Sequence, residues 1–173
     1  MRLAIGDYLV RDFVDGDRAA LVKYADNPYV ARFLRDRFPS PYTPADAEAW
    51  LAQVRGQDPP TSFAIATATE LIGGIGLECR DDVYRRSAEI GYWLGEPFWG
   101  RGIATAAVRA LCAWAFAELG LLRIFATVFV PNTASIRVLE KAGFSLEGRL
   151  RSSAFKHGLV LDELLYARVN ASG

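Results

Sequence analysis

One histidine, one methionine and two cysteines occur among 173 residues, and acidic and basic side chains balance to a formal charge of zero. Each scarcity excludes something. Cys79 and Cys112 stand apart from one another and from His157, so no ligand-type spacing for a metal is present. Cys112 falls in an alanine-rich stretch with helical character, where a thiol is expected to be buried and inert. Balanced charge offers no global attraction to nucleic acid or to an anionic membrane. Long apolar runs are also missing, since the longest, Ala110 to Ala117, falls far short of a membrane span. The opening Met1-Arg2-Leu3-Ala4-Ile5-Gly6-Asp7 meets charge too early for a signal peptide. The expectation is a cytoplasmic protein with no metal, nucleic acid or membrane partner. The sequon at Asn170-Ala171-Ser172 is expected to be fortuitous.

What is present suits a folded domain. Hydrophobic residues make up 51% and charged residues 23%, ordinary values for a globular chain. The length fits a single domain over residues 1–173, with a core that needs no staples. No repeat or low-complexity linker divides it.

Periodicity and punctuation predict the elements. Tyr8 to Phe13 reads as a first strand, and Asp15 or Asp17 caps a helix from Arg18 to Ala25. Asn27-Pro28 interrupts it before a short helix to about Leu34. Thr43-Pro44-Ala45-Asp46 is a helix start, with a capping hydroxyl, proline at the first position and a carboxylate facing the dipole. Strands are expected over Ser62 to Ala68, Leu71 to Cys79 and Ser87 to Gly95. A long helix follows from Gly102 to Leu119, then a strand from Arg123 to Val130 and a helix from Asn132 to Ala142. Strands over Phe144 to Arg151 and Val160 to Val169 close the chain, joined by a turn at Lys156-His157-Gly158. Three central strands without a crossover helix do not fit a doubly wound dinucleotide fold.

The chemistry concentrates between Glu89 and Ala107. A strand ends, Trp99-Gly100-Arg101-Gly102-Ile103-Ala104 follows, and a helix begins at once. Backbone N–H groups of the loop and first helical turn lack partners of their own, and with the helix dipole they form an anion site. Glycine lets the backbone approach a pyrophosphate closely, and Arg101 adds charge at the rim. A dinucleotide fingerprint fails at Thr105, and the Gly-Lys-Ser/Thr of a P-loop is absent. Further on, Val130-Pro131-Asn132-Thr133-Ala134-Ser135 leaves a strand and opens a helix that closes with Glu140-Lys141-Ala142-Gly143-Phe144, with Asn132 as its cap.

These two segments, with Ala88-Glu89-Ile90-Gly91-Tyr92-Trp93-Leu94, Leu146-Glu147-Gly148 and the Gly158, Asp162, Tyr166 hairpin, resemble the GNAT acetyltransferase superfamily. Within it they look like the RimJ/RimL-like branch of ribosomal-protein N-α-acetyltransferases, over about Tyr8 to Val169. The resemblance implies a mixed α/β (α+β) fold: a central, twisted, mostly antiparallel sheet with a splayed parallel pair, flanked by helices. It implies acetyl-CoA as co-substrate, with no metal, and an amine as acceptor. The backbone at Tyr92, Trp93 and Leu94 would bind the pantetheine arm and the acetyl carbonyl. Trp99 and the N–H groups of Gly100, Arg101, Gly102, Ile103, Ala104 and Thr105 would hold the pyrophosphate. Asn132 would bond to pantetheine, and Ser135 would lie near the sulfur. Two positions depart from the family. Trp99 stands where Gln or Arg is frequent, and Leu139 where many members place a tyrosine acid, so Ser135 or water held by it would assist the departing thiolate.

The reaction also needs a base for the acceptor ammonium. Glu89 is the first candidate and Glu78 the second, each with the alternative of being a solvated carboxylate. His157 is expected to be an exposed turn residue. An α-amine, with a free pKa of about 7.7–8.0 against about 10.4 for lysine, needs little help. Arg35, Phe38 and Tyr42 are the candidate acceptor-binding residues, in a stretch from Asn27 to Trp50 that mixes charge with aromatic surface. Trp50 is expected to pack, and the Arg/Asp run has the alternative of being a solvated face. Three readings follow: acetylation of a protein or peptide N-terminus, acetylation of a small amine or amino acid, or a silent acyl-CoA-binding module. An unpaired sheet edge allows either a monomer or a homodimer.

Overall fold

The computed structural model describes residues 1–170, so the sequon at Asn170-Ala171-Ser172 lies partly outside the described residues. The chain divides into two compact units, neither of them continuous in sequence. The first holds Met1–Gly76 and Tyr92–Ala110, and the second Leu77–Gly91 and the residues from Leu111 onward.

In the first unit, β1 (Arg2–Ile5) and β2 (Tyr8–Arg11) form a hairpin across Gly6-Asp7, with Ile5 opposite Tyr8. β1 was not expected, and β2 stops two residues short of Phe13, whose ring instead meets Trp50 edge-on at 5.9 Å. β2 pairs antiparallel with β3 (Ser62–Ala66), and β3 with β4 (Leu71–Cys79), whose residues to Gly76 belong to this unit. β3 ends earlier than Ala68 because the turn is wider than Thr69-Glu70: the Thr67 N–H donates to Glu70 O at 2.9 Å. Phe63, Ala64, Ile65 and Ala66 are all buried, as are Leu71 and Ile72.

Three helices accompany these strands: α1 (Arg18–Ala25), α2 (Pro28–Ala31) and α3 (Pro44–Arg55). α3 begins as its sequence dictates. Thr43 accepts from the Asp46 N–H, the Asp46 carboxylate accepts from the Thr43 N–H, and Pro44 takes the first position. α1 does not use the expected side-chain cap. Asp17 is buried and instead accepts a bidentate pair from Arg11, at 2.8 Å on each oxygen, with a third bond from the Val14 N–H. A buried carboxylate needs that much compensation. α2 is shorter than expected, ending at Ala31.

The second unit takes the rest of β4, the start of β5 (Ser87–Leu94), and β6 (Arg123–Phe129), α5 (Thr133–Lys141), β7 (Ser145–Lys156) and β8 (Leu159–Val169). The order from β5 is β5-β6-β8-β7. β5 and β6 run parallel while β6–β8 and β7–β8 are antiparallel. β7 continues to Lys156 rather than ending at Arg151, interrupted by register shifts between Leu146/Gly148 and Leu150/Ala154. α4 (Ile103–Glu118) passes from one unit to the other, burying Ile103, Ala107, Val108, Leu111, Cys112 and Ala115 at helical spacing. Among the described residues no helix is long and apolar enough to cross a membrane.

Candidate active site

In the first unit, backbone geometry shapes the loop that was expected to receive an anion. β5 ends at Leu94, a short 3-10 turn covers Glu96–Phe98, and α4 starts at Ile103. Gly100 and Gly102 both sit at positive φ, 75° and 76°. That left-handed region costs a side-chain-bearing residue roughly 1–2 kcal/mol, so glycine at these positions follows from the turn itself. A Cβ built on either meets nothing within 4 Å. The space beside the loop is open, as close approach of a ligand to the backbone requires. The first-turn N–H groups of a 16-residue helix complete the arrangement. The Arg101 guanidinium lies over the Phe98 ring at 5.5 Å, at the rim. Trp99 is exposed, yet its indole N–H donates to Leu94 O at 2.7 Å.

Behind the loop, β4 and the end of β5 approach unusually closely, a feature that the sequence reading missed. A Cβ on Gly73 would strike the Trp93 backbone oxygen and come within 3.1 Å of Leu94 Cα. One on Gly74 would come within 2.6 Å of Trp93 Nε1. The signal was legible, because paired glycines inside a strand pattern mark close approach of another backbone. Trp93 in turn packs edge-on to Phe38 at 5.6 Å, and Phe38 lies 5.3 Å from Tyr42. Two of the three expected acceptor residues are thus brought together with a residue of the expected cofactor strand. Tyr42 is buried, its N–H donates to Asp26 Oδ1 at 3.0 Å, and burial pushes its hydroxyl pKa up to about 12, with nearby Asp46 adding to the rise. Arg35 is exposed, in company with Arg32, Asp36 and Arg37.

The second unit holds the candidate base. Glu89 is 8% exposed, so the solvated alternative does not apply to it, whereas Glu78 is exposed. Glu89 accepts from the Thr127 hydroxyl at 3.0 Å and from Arg80 at 3.4 Å. Neither partner was anticipated: Thr127 lies 38 residues further on, and Arg80 nine residues back, across the turn between β4 and β5. The parallel register runs Ser87↔Arg123, Ala88↔Ile124, Glu89↔Phe125 and then stops, although both strands continue. Glu89 therefore sits where the pair opens, and its carboxylate reaches across to Thr127, two residues further along the other strand. Arg80 lies over the Phe125 ring at 5.3 Å.

Asn132 caps α5 as expected, its side-chain oxygen accepting from the Ser135 N–H at 3.2 Å. Asn132 and Ser135 are both half-buried at the start of that helix, and Leu139 is buried. Tyr166 donates its hydroxyl to Glu140 at 3.0 Å. His157 is exposed in its turn, and Cys112 is fully buried with its thiol pKa pushed up to about 12 by desolvation. A cleft of about 270 Å³ between β2, α3 and the start of β3 is lined by Phe13, Val14, Leu51, Val54 and Gln57 and involves none of the expected site residues.

Known proteins share this architecture. A RimL ribosomal L7/L12 alpha-N-protein acetyltransferase in complex with coenzyme A matches with a TM-score of 0.87 over 98% of both chains, at 20% identity. Mycobacterium smegmatis RimJ, in complex with CoA-disulfide, matches with a TM-score of 0.86 at 27% identity, over 99% of this chain and 86% of that one. The fold is therefore the mixed α/β fold of the acyl-CoA acetyltransferases. In sequence, residues 8–145 match the acetyltransferase (GNAT) domain, and the chain belongs to the GNAT acetyltransferase family. An uncharacterized N-acetyltransferase of Bacillus licheniformis, p20, is 32% identical over 157 residues, 87% of this chain and 86% of its own length. The ribosomal-protein-serine acetyltransferase of Escherichia coli (strain K12) is 40% identical over 108 residues, 62% of this chain and 59% of that protein. The uncharacterized N-acetyltransferase YoaA of Bacillus subtilis (strain 168), 41% identical, is matched over 56% of its length. The chain thus spans somewhat more than half of these last two relatives. Its likeness to the ribosomal-protein acetyltransferases puts it in the RimJ/RimL-like branch.

Proposed function

We propose that this chain transfers an acetyl group from acetyl-CoA to the α-amine of a protein or peptide N-terminus. The observation that supports the reading is the loop ahead of α4, where Gly100 and Gly102 lie at positive φ with open space beside them, as a backbone site for a pyrophosphate would need. In the first unit, the backbone of Tyr92, Trp93 and Leu94 holds the pantetheine and the acetyl carbonyl, and residues Gly100 to Thr105 hold the pyrophosphate. In the second, Asn132 holds pantetheine through the side-chain amide that its capping bond leaves free to donate, and Ser135 assists the sulfur.

Glu89 takes the first proton from the acceptor ammonium. The freed nitrogen lone pair forms a bond to the acetyl carbonyl carbon, and the carbon–sulfur bond breaks. The surplus proton on nitrogen passes to the departing thiolate by way of Ser135 or its water. Backbone donors aimed at the developing oxyanion contribute most, one such donor being worth roughly 10²–10³ in rate. Holding both reactants in line contributes much of the rest. Phe38, Tyr42 and Arg35 receive the acceptor. An N-terminal acceptor is favoured over a small amine by the 40% identity to a ribosomal-protein-serine acetyltransferase and by the lower pKa of an α-amine.

Calorimetric titration with acetyl-CoA, followed by thiol release with a panel of peptides and a panel of metabolic amines, tests the proposal. Binding with turnover on peptides is the expected result. Turnover confined to small amines would refute the acceptor, and absence of coenzyme A binding would refute the site.

A further inference from the structure

We infer that Trp99 is a positioning residue for coenzyme A binding, acting through the Leu94 carbonyl rather than by its ring. This rests on the coenzyme A reading above. Trp99 is 46% exposed, too open for burial of its ring to explain a tryptophan there. Its indole nitrogen, however, is engaged at 2.7 Å with the last carbonyl of β5. That bond closes the turn from Leu94 to Trp99 and fixes the residue that directly precedes Gly100.

The rest of the turn is pinned from outside. Gly95 N–H donates to Ile72 O at 2.8 Å, Asn27 donates to Glu96 at 2.7 Å, and the Phe98 ring meets Tyr24 edge-on at 5.4 Å. The Trp99 indole ties the exit of the turn back to the strand. Without its donor, the entry to the two left-handed glycines keeps the backbone bonds of the turn, Phe98 N–H to Gly95 O at 3.0 Å and Trp99 N–H to Glu96 O at 3.1 Å, but loses its tie to the end of β5. The loop then samples other conformations, and a ligand must order it on binding, which lowers affinity. A neutral hydrogen bond of this kind corresponds to about a threefold to tenfold change in affinity.

Three chains are compared: the wild type, Trp99→Phe and Trp99→Gln, whose side-chain amide donates to the same carbonyl. Calorimetry with coenzyme A is expected to give about threefold to tenfold weaker binding in Trp99→Phe and recovery of most of it in Trp99→Gln. The KM for acetyl-CoA is expected to rise by more than kcat falls. Wild-type affinity in Trp99→Phe overturns the inference, as does a Trp99→Gln variant no tighter than Trp99→Phe. Amide and indole NMR of the ligand-free chain provides a measurement independent of coenzyme A. The Trp99 indole N–H, identified by its loss in Trp99→Phe, is expected to exchange slowly despite the exposed ring, and rapid exchange overturns the inference even in a chain that binds no coenzyme A.

Discussion

Gly73 offers the sharpest test of how the first unit is assembled. An alanine there places its Cβ on the Trp93 backbone oxygen and 3.1 Å from both Cα and Cδ1 of Leu94. The obstacle is main chain, so no rotamer change relieves it, and the strands must part locally by about 1 Å. Overpacking of this kind costs about 1–3 kcal/mol. Lower entropy of the unfolded chain returns about 0.4–1 kcal/mol, leaving a net loss of about 1–2 kcal/mol. For a chain of this size that corresponds to a fall in Tm of about 2–8 °C. Gly91→Ala, on the same β5, is the control, because its Cβ meets nothing within 4 Å and its φ is not in the left-handed region. Urea titrations followed by tryptophan fluorescence should show Gly73→Ala destabilised and Gly91→Ala within about 0.5 kcal/mol of wild type. Equal midpoints for Gly73→Ala and wild type would refute the close approach. Since Trp93 and Leu94 are also proposed to hold pantetheine, the KM for acetyl-CoA should rise in Gly73→Ala.

Glu89→Gln keeps an oxygen for the Thr127 hydroxyl and should fold normally, while kcat/KM falls by roughly 10²-fold or more. A variant that retains the wild-type rate and pH–rate profile would remove Glu89 as the base. Gly102→Asn tolerates a left-handed φ better than Gly102→Val. Both should bind coenzyme A much more weakly than wild type, with the Asn variant close to wild type in Tm; wild-type affinity in the Asn variant refutes the pyrophosphate assignment. Tyr42 and Cys112 both have their pKa raised by burial, each to about 12. Their contribution to stability is complete below the pKa values of the unfolded chain and is lost as pH rises through the folded values. Stability should therefore decline from about pH 9 toward pH 12, and a flat profile to pH 11 would refute it. By the same burial, a thiol reagent at pH 8 should titrate Cys79 alone in the native protein and both cysteines in denaturant.

The local signals were legible wherever a few neighbouring residues decide the outcome. Thr43-Pro44 with Asp46 starts α3, Asn132 caps α5, and Gly102 precedes α4, all as punctuation predicts. The hairpin of β1 and β2 is legible too, since Gly6-Asp7 between two short apolar-polar runs is a two-residue turn signal. Other features were hidden for a physical reason. Asp17 offers a capping carboxylate to α1, yet a buried pairing with Arg11 claims it. Glu89 acquires Thr127 only through the parallel register of β5 and β6, which no local window contains. Trp99 departs from the family's preferred residue, and only coordinates reveal a donor aimed at Leu94.

The two register shifts in β7 have a consequence for solubility. β7 lies at the end of the strand order and is 12 residues long, with Leu146, Leu150 and Phe155 exposed along it. A flat outer strand with that composition is a template onto which other extended chains could add. Ser152, held at φ 51° while its N–H donates to Asp162, breaks the template midway. Irregularities of this kind are what natural sheet edges use against strand-by-strand growth, and here the Asp162 carboxylate is what holds the break in place.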